Sequence, residues 1–430
     1  MPKRMEKKRK PWPYLGLIAL LVVIGVALYQ VPAIHDRAYF HFATLRAKVF
    51  FFFKPPASTT FDPSANQTPT GSAPTGQPAA TSTPVPTPTA PPEPTPGPTL
   101  APTAIPTPLP ESVSLGGITL QPQAFNNCGP ATLSMNLEFW GWEGFQSDIQ
   151  RVIKPRLEDL SVTPAELVAF VEGHTDFKAL VRQAGTLDLL KRFIAAGIPF
   201  MVERGYFVPS DGWMGHFGVI NGYDDAAGTV HIPDSFSGII DMRYEDLQRF
   251  WDQFNNTYLV VYPPEREAEV MALLGADADA DANLEKALHQ ARSRAKDLTG
   301  QQQFFAAYST GSILVQMQRW EEAAAAYDTA FALYNALYQE DRPWRLFWYE
   351  TGAYEAYYHT GRYQDVLGLA DKVLDETPSK GLPETYLWRA RANVALGDEV
   401  TAAYDYKRAL TWHPNWQPAL DGLAELGVAP

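Results

Sequence analysis

Residues 121–142 read QPQAFNNCGPATLSMNLEFWGW, and this stretch decides the fold of the middle of the chain. It contains Cys128, the single cysteine among 430 residues. Pro130 takes the first-turn position that proline prefers in helices, and Leu133 and Leu137 follow at helical spacing. The pattern predicts a core-packed helix that begins at Cys128, where unpaired N–H groups and the helix dipole stabilise a thiolate.

A lone cysteine is more often a small buried apolar residue than a nucleophile. A catalytic role for Cys128 therefore requires other catalytic residues in the same site. One thiol excludes an intramolecular disulfide and a CxxC zinc or redox site. The acidic run at residues 276–282 lacks the glycine and terminal glutamate of a calcium loop and is predicted to be an acidic linker. We therefore expect neither a metal nor a cofactor.

The chain after this helix alternates helix and strand signals. Residues 163–174 begin with a capping-box pattern and predict a helix, as do residues 186–197. Residues 198–207 predict a strand. A hairpin is predicted next, with strands at residues 216–223 and 229–234 joined by a turn over DDAAG.

The register of this hairpin decides which polar side chains meet. If the turn centres near Ala226, Gly218 opposes Asp234, and His216 shares a face with Asp234 one diagonal step away. His231 then lies on the opposite face of the hairpin from Asp234. A one-residue error in the position of the turn would exchange the two faces. A carboxylate beside an imidazole fixes its tautomer and stabilises the imidazolium that a thiolate requires.

Three blocks, NNCGPATL, GHFGVINGYDD and HIPDSFSG, occur in this order over about 110 residues. Together they resemble the papain-like cysteine peptidases related to the bacteriocin double-glycine leader peptidases, over residues 115–262 at most. The resemblance implies that Cys128 is the nucleophile, His216 the general base and acid, and Asp234 the residue that orients His216.

The same family has a glutamine shortly before the cysteine, whose amide forms an oxyanion hole with the cysteine N–H. The usual position holds Pro122 here, between Gln121 and Gln123; we favour Gln123. Pro233 precedes Asp234, whereas the family commonly has proline after the aspartate. No GxxxxGK[ST] loop of an export ATPase is present, so double-glycine leader processing is not implied.

The N-terminal part predicts attachment to a membrane. Six Lys/Arg in residues 1–13, the predicted cytoplasmic tail, precede an apolar run at residues 14–34, which is long enough to cross a bilayer as a signal anchor. A cleaved signal peptide is the alternative. Residues 35–54 are aromatic and suit the outer lipid interface. Residues 55–110 hold 18 of the 37 prolines and 13 threonines and predict a disordered, semi-rigid spacer. The two domains formed by residues 111–430 would then be extracytoplasmic.

The C-terminal residues 265–430 predict helices with an internal repeat that resembles the tetratricopeptide repeat. Such a solenoid often binds peptides, although it can also be a structural cap on the peptidase. Buried aromatic side chains would indicate core, and exposed ones a binding surface. The three copies comprise Gly311, Ala323, Tyr327 and Ala330; Gly361, Tyr363 and Pro378; and Gly397, Ala402, Tyr406, Ala409 and Pro414.

Charge excludes nucleic acid as a partner, because residues 111–430 carry 25 Lys/Arg against 44 Asp/Glu. The sequence thus predicts an α+β papain-like domain (residues 111–264) and an all-α solenoid behind one transmembrane helix and a Pro/Thr-rich linker. The predicted function is a membrane-anchored cysteine peptidase that acts on a peptide or protein, with a possible protein partner on the repeats. Amidase or acyltransferase chemistry and a non-catalytic peptide-binding protein are the alternatives.

Overall fold

The computed structural model describes residues 12–63, 108–208 and 212–430. Residues 1–11 of the predicted basic tail and residues 64–107 of the predicted linker lie outside this part, as do the side chains of residues 12–19, 32, 33, 35 and 36. The chain begins with helix α1 (Trp12–Tyr29) and helix α2 (Pro32–Phe53). Within the described residues, we find no helix with both the length and the apolar character needed to cross a bilayer.

The residues that follow α2 pack against the C-terminal helical region (residues 265–430). Ala57 and Phe61 are buried, and the Phe61 ring meets the Phe331 ring at a centroid distance of 4.8 Å. Asn335 Nδ2 donates to the Phe61 carbonyl oxygen at 2.7 Å. The sequence places residues 55–63 in the disordered linker, and the structure differs because these two apolar side chains interrupt the Pro/Thr composition and enter a core.

Strands in the described part of the chain form two antiparallel four-stranded sheets. The first sheet has the order β1-β5-β6-β7 and comprises β1 (Ser112–Ser114), β5 (Gly222–Asp224), β6 (Thr229–Asp234) and β7 (Gly238–Arg243). The second has the order β2-β8-β3-β4 and comprises β2 (Lys178–Arg182), β8 (Tyr258–Tyr262), β3 (Phe200–Val208) and β4 (Gly212–Ile220).

The second sheet separates two apolar cores, because successive side chains of a strand point to opposite faces. Met201 and Leu259 join the core that is shared with α3 (Cys128–Phe139), α4 (Gln146–Ile153) and α5 (Pro164–His174). Val202 and Val260 join the core that the first sheet shares with α6 (Leu187–Ala195), α7 (Tyr244–Trp251) and α8 (Glu267–Leu274). The predicted strand at residues 198–207 therefore lies at the centre of the fold as β3.

Local chemistry sets the helix starts that the sequence predicts. Thr163 Oγ1 accepts a hydrogen bond from the Glu166 N–H at 3.2 Å, and Glu166 Oε2 accepts one from the Thr163 N–H at 2.8 Å. This reciprocal pair is the capping box, which satisfies two unpaired donors at the start of α5. Thr186 similarly caps α6 by accepting from the Leu189 N–H at 3.1 Å.

The predicted hairpin register is wrong by one residue, and its first strand is broken. The chain leaves β4 at Ile220 and enters β5 at Gly222, so the two halves belong to different sheets. Gly222 pairs with His231, and Gly218 pairs with Val202 rather than with Asp234. Asn221 lies at the break, where its side chain donates to the Leu115 carbonyl oxygen at 2.8 Å. This tertiary contact is not readable from the turn sequence.

The C-terminal region is helical, as predicted, and most of its helices pack on the preceding or following helix. The acidic run predicted as a linker instead enters the first of these helices, with Asp279 accepting from the Ala282 N–H at 2.8 Å as the cap. The helices are α9 (Ala280–Asp297), α10 (Gly300–Gln316), α11 (Trp320–Ala336), α12 (Leu346–Tyr349), α13 (Gly352–His359), α14 (Tyr363–Glu376), α15 (Pro383–Ala395), α16 (Glu399–Trp412) and α17 (Gln417–Glu425).

The small residues that mark the predicted repeats lie at helix contacts. A Cβ at Gly311 would lie 2.8 Å from the Tyr327 ring, so glycine there lets α10 and α11 approach closely. Tyr327 and Tyr406 are buried and belong to the core. Ala323, Ala330, Ala402 and Ala409 are also buried. The resemblance to tetratricopeptide repeats itself stays a prediction.

Candidate active site

Cys128 is the first residue of α3 and is partly exposed, whereas the next nine residues of the helix are buried. Asn127, which precedes the helix, has non-helical backbone angles. Thr132 Oγ1 donates to the Phe217 carbonyl oxygen at 3.1 Å and fixes the first turn of α3 against β4. The thiol therefore lies at a rigid helix N-terminus, where the backbone N–H groups have no partners within the helix.

The structure brings three of the predicted site residues together. The Cys128 thiol lies beside the His216 imidazole, close enough for the two side chains to interact. The His216 Nε2 atom lies 2.8 Å from Asp234 Oδ2. His216 reaches Asp234 from β4 of the second sheet, across to β6 of the first, and not by the diagonal pairing expected within one hairpin. Both side chains are almost completely buried.

His231, which the register excluded from the site, lies elsewhere. Its Nδ1 atom is 2.8 Å from Asp241 Oδ1, and the two residues are direct partners of β6 and β7. This contact is partly exposed, so His231 forms a surface pair.

Arg204 is a member of this cluster that sequence reasoning missed. Its Nη2 atom donates to Asp234 Oδ2 at 2.8 Å, and the side chain is fully buried. Arg204 is also the direct cross-strand partner of His216. Its guanidinium lies 5.2 Å from the centre of the Tyr206 ring, which is 5.1 Å from the His216 ring. The available signal was a single arginine inside the apolar strand IPFMVERGYF.

The Asp234 carboxylate is saturated with donors. Oδ2 takes the contacts of His216 and Arg204, while Oδ1 accepts from the Phe236 N–H at 3.0 Å and the Ser237 N–H at 2.8 Å. A carboxylate in such a network remains ionised and holds a fixed orientation. Asp234 can therefore fix both the charge and the rotamer of His216.

Electrostatics of the cluster favour a thiolate and an imidazolium. Burial opposes ionisation of Cys128, but its hydrogen bond to His216 and the charge of that residue lower the pKa of the thiol below its usual value. Burial also opposes protonation of His216, yet the charge and hydrogen bond of Asp234, together with Cys128, raise the pKa of the imidazole to about 9. His216 and Arg204 hold the pKa of Asp234 well below its usual range despite burial.

Gln123 lies next to the aspartate strand. Its Oε1 atom accepts from Ser235 Oγ at 2.9 Å, and its backbone N–H donates to the Ser235 carbonyl oxygen at 2.9 Å. Ser235 directly follows Asp234 in the chain. Gln121, the alternative, is buried, and its backbone N–H points to Met135 Sδ at 3.2 Å. With Oε1 of Gln123 engaged, its amide N–H₂ group is left to donate elsewhere.

A second polar residue that sequence reasoning missed, Gln146, holds the loop before the nucleophile. Its Oε1 atom accepts from the Ala124 N–H at 2.9 Å and from Asn127 Nδ2 at 2.8 Å. Its Nε2 atom donates to the Pro122 carbonyl oxygen at 2.9 Å. One buried amide thus fixes the loop on both sides of Gln123. The only feature of the sequence that pointed to Gln146 was its position at the start of α4.

Lys154 adds a buried cation beneath the same loop. Its Nζ atom donates to the Asn126 carbonyl oxygen at 2.5 Å, and the residue is fully buried. Asn126 has a positive φ of 51°, a conformation that asparagine tolerates. Burial lowers the pKa of the Lys154 ammonium, with the charge of Asp159 opposing the shift.

The helical region also supports the strand that carries His216. Arg345 Nη1 donates to the Trp213 carbonyl oxygen at 2.9 Å, and the Trp213 ring stacks on Phe254 at 5.9 Å. A Cβ at Gly215 would lie 2.9 Å from the Tyr349 ring. The start of β4 is therefore embedded in the core of the C-terminal helices.

Comparison with known proteins supports the predicted resemblance of the middle domain. Residues 116–260 match the family model described as the Peptidase_C39 like family. This part of the chain is thus similar to cysteine peptidases. A crystal structure described as a C39-like peptidase from Bacillus anthracis is 16% identical, with 35% of this chain and 98% of that chain covered at a TM-score of 0.29. No curated protein matched the chain.

Proposed function

We propose that residues 111–264 form a cysteine peptidase that hydrolyses peptide bonds through Cys128, His216 and Asp234. The observation that carries this proposal is the convergence of the Cys128 thiol, the His216 imidazole and the Asp234 carboxylate, with His216 Nε2 at 2.8 Å from Asp234 Oδ2. Its support is the match of residues 116–260 to a peptidase family. A nucleophile, a base within hydrogen-bonding reach and a third group that orients the base are the elements that acyl transfer needs.

The proposed reaction begins with the Cys128 thiolate, which attacks the carbonyl carbon of the scissile bond. The His216 imidazolium donates its proton to the leaving amine as the C–N bond breaks, which leaves a thioester on Cys128. Neutral His216 then removes a proton from water as the water oxygen attacks the thioester. The C–S bond breaks, the acid product leaves, and the Cys128 thiolate and the His216 imidazolium are restored. An amine in place of water would give the acyltransferase alternative.

Gln123 is the proposed side-chain donor of the oxyanion hole, together with the Cys128 backbone N–H. The hydrogen bond from Ser235 engages the Gln123 amide oxygen, so the amide nitrogen remains as the donor. The buried Gln146 amide holds the intervening loop. Donors that are fixed before the reaction stabilise a tetrahedral oxyanion without reorganisation.

We also propose that the protein is attached to the cell membrane by one N-terminal helix, with both domains extracytoplasmic. The support is the basic tail ahead of the apolar run and the apolar side chains of α1 from Leu20 to Leu28, which are 45–64% exposed. Extraction of membranes with alkaline carbonate should leave the full chain in the pellet. Protease added to the outside of intact spheroplasts should digest the peptidase and helical domains of the protein.

A protein partner on the repeats is a further part of this proposal. Val400 and Tyr404 lie four residues apart on α16 and are 84% and 60% exposed. Most aromatic side chains of the repeats are buried, so they form core. These buried side chains support the role of the helical region as a structural cap on the peptidase. A binding role would have to use exposed positions such as Val400 and Tyr404.

The proposal is tested by incubating the purified full chain with a peptide library and identifying new termini by mass spectrometry. Cys128→Ala is the matched control, because it removes one sulfur from a partly exposed position. We expect cleavages that are absent from the control. Identical products from both proteins, together with no adduct between Cys128 and an electrophilic peptide mimic, would overturn the peptidase function and favour the non-catalytic binding protein.

A further inference from the structure

Helix α2 has two different faces. Phe42, Leu45, Val49, Phe52 and Phe53 are 52–80% exposed and fall within an arc of roughly 100° at 3.6 residues per turn. On the other side, Ala43 is 3% exposed. We call the five exposed residues the α2 stripe. An apolar stripe of this kind on an otherwise packed helix marks a contact with something outside the described chain.

The opposite face of α2 is seated on both folded parts of the protein. The rings of Tyr39 and Phe40 meet the Phe125 ring at centroid distances of 5.4 and 6.1 Å. One end of the helix therefore rests on the loop that leads into Cys128.

The other end of α2 rests on the helical region. The Phe51 ring meets the Trp344 ring at 5.3 Å, and Lys54 forms an ion pair with Asp375. Since both ends of α2 are held, the direction in which the α2 stripe points is fixed relative to the active site.

We propose that the α2 stripe lies in the surface of the lipid bilayer and seats the peptidase and helical regions on the membrane. The stripe continues the exposed apolar surface of α1, from which α2 is separated by only Gln30 and Val31. Arg37 and Lys48 are exposed at one edge of the stripe, and basic residues beside an apolar face are attracted to anionic lipid headgroups. Membrane attachment is part of the proposed function, on which this inference rests.

This seating places the active site next to the membrane. Tyr39 lies seven residues after the start of α2, which is about 11 Å along a helix axis at 1.5 Å per residue. It contacts Phe125, and Cys128 follows three residues later. The substrates are therefore peptides held at the bilayer surface, such as lipid-anchored chains or segments adjacent to a membrane span.

The first test measures depth and needs no catalysis. In the full chain with Cys128→Ser, a bimane label is placed at L45C or V49C, with V22C on α1 and V400C on α16 as controls. The probe is a vesicle of phosphatidylcholine and phosphatidylglycerol (3:1) with brominated acyl chains. We expect about twofold quenching at positions 22, 45 and 49 and none at 400. Quenching at 22 but not at 45 or 49 overturns the seating, and quenching at no position overturns the membrane attachment as well.

The second test measures substrate preference. One cleavable peptide is supplied either free or palmitoylated on the same vesicles. The stripe variant F42E/L45E should lower cleavage of the lipidated peptide about tenfold and leave the free peptide unchanged. The control variant Y338E, at a position of the helical region that is 79% exposed, should change neither rate. Equal rates on the lipidated peptide for the wild type and F42E/L45E overturn the substrate class. Failure of the wild type to cleave either form overturns the peptidase function instead, whatever the quenching result.

Discussion

Arg204 and His216 are direct cross-strand partners, and both contact the same oxygen of Asp234 at 2.8 Å. In the proposed ion pair, two anions, Cys128 and Asp234, are balanced by two cations, His216 and Arg204. The positive charge of Arg204 offsets part of the field that Asp234 exerts on the ion pair. It thus acts as a positioning residue and also limits how strongly the pair holds its protons.

Removal of this charge in Arg204→Met should raise the proton affinity of both Cys128 and His216. The rate of Cys128 alkylation should change with pH at two points, where the thiol and where the imidazolium lose their protons. Both points should then move to higher pH, by on the order of one unit. Arg204→Lys keeps the charge and should keep the profile close to that of the wild type. If Arg204→Met lowers the melting temperature but leaves the pH profile of alkylation unchanged, the role of Arg204 is purely structural.

Asp234→Asn should lower the rate of peptide cleavage by a factor on the order of 100 or more, because the imidazolium loses the carboxylate that raises its pKa. The steady-state rate at pH 7 is the measurement. Asp241→Asn is the matched control, since it removes the carboxylate partner of His231 at the surface. Equal loss in both variants would contradict the role of Asp234.

Gln123→Ala should lower the cleavage rate by roughly 100-fold, because one oxyanion donor is lost in the transition state. It should leave alkylation of Cys128 unchanged, since alkylation forms no oxyanion. Gln121→Ala provides the comparison. The opposite ranking of the two variants would assign the oxyanion hole to Gln121.

Gly215→Ala tests whether the helical region holds the strand of His216. The added Cβ would lie 2.8 Å from the Phe254 ring and 2.9 Å from the Tyr349 ring, an overpacking that costs about 1–3 kcal/mol. Gly218→Ala lies on the other side of His216, and its Cβ would have ordinary contacts of 3.5 Å or more. We expect lower stability and slower cleavage for Gly215→Ala only, measured by denaturant unfolding and by rate.

Features that depend on nearby residues were predictable from the sequence. The start of α3 at Cys128 follows from a proline in the first turn and apolar spacing, and the cap of α5 follows from Thr163 and Glu166. The hairpin register failed because Asn221 diverts the chain into a second sheet through a contact with Leu115, 106 residues away in the sequence.

The supporting residues of the site were not predictable, because each acts across the fold. Arg204 meets Asp234 over a separation of 30 residues, and Gln146 meets Asn127 over 19. A buried arginine or glutamine has no sequence pattern that names its partner. The hairpin register paired His216 with Asp234, and the resemblance then implied their roles. The structure places the two side chains in contact, but across two sheets and not within one hairpin.

The central claim is that His216 activates Cys128 as a thiolate, and the rate of alkylation by iodoacetamide between pH 4 and 10 tests it most directly. The wild type should react with an inflection below the ordinary thiol pKa of about 8.5, followed by a plateau that ends as His216 deprotonates at about pH 9. His216→Ala should show one inflection near the ordinary value. Superimposable profiles for the two proteins would contradict the claim.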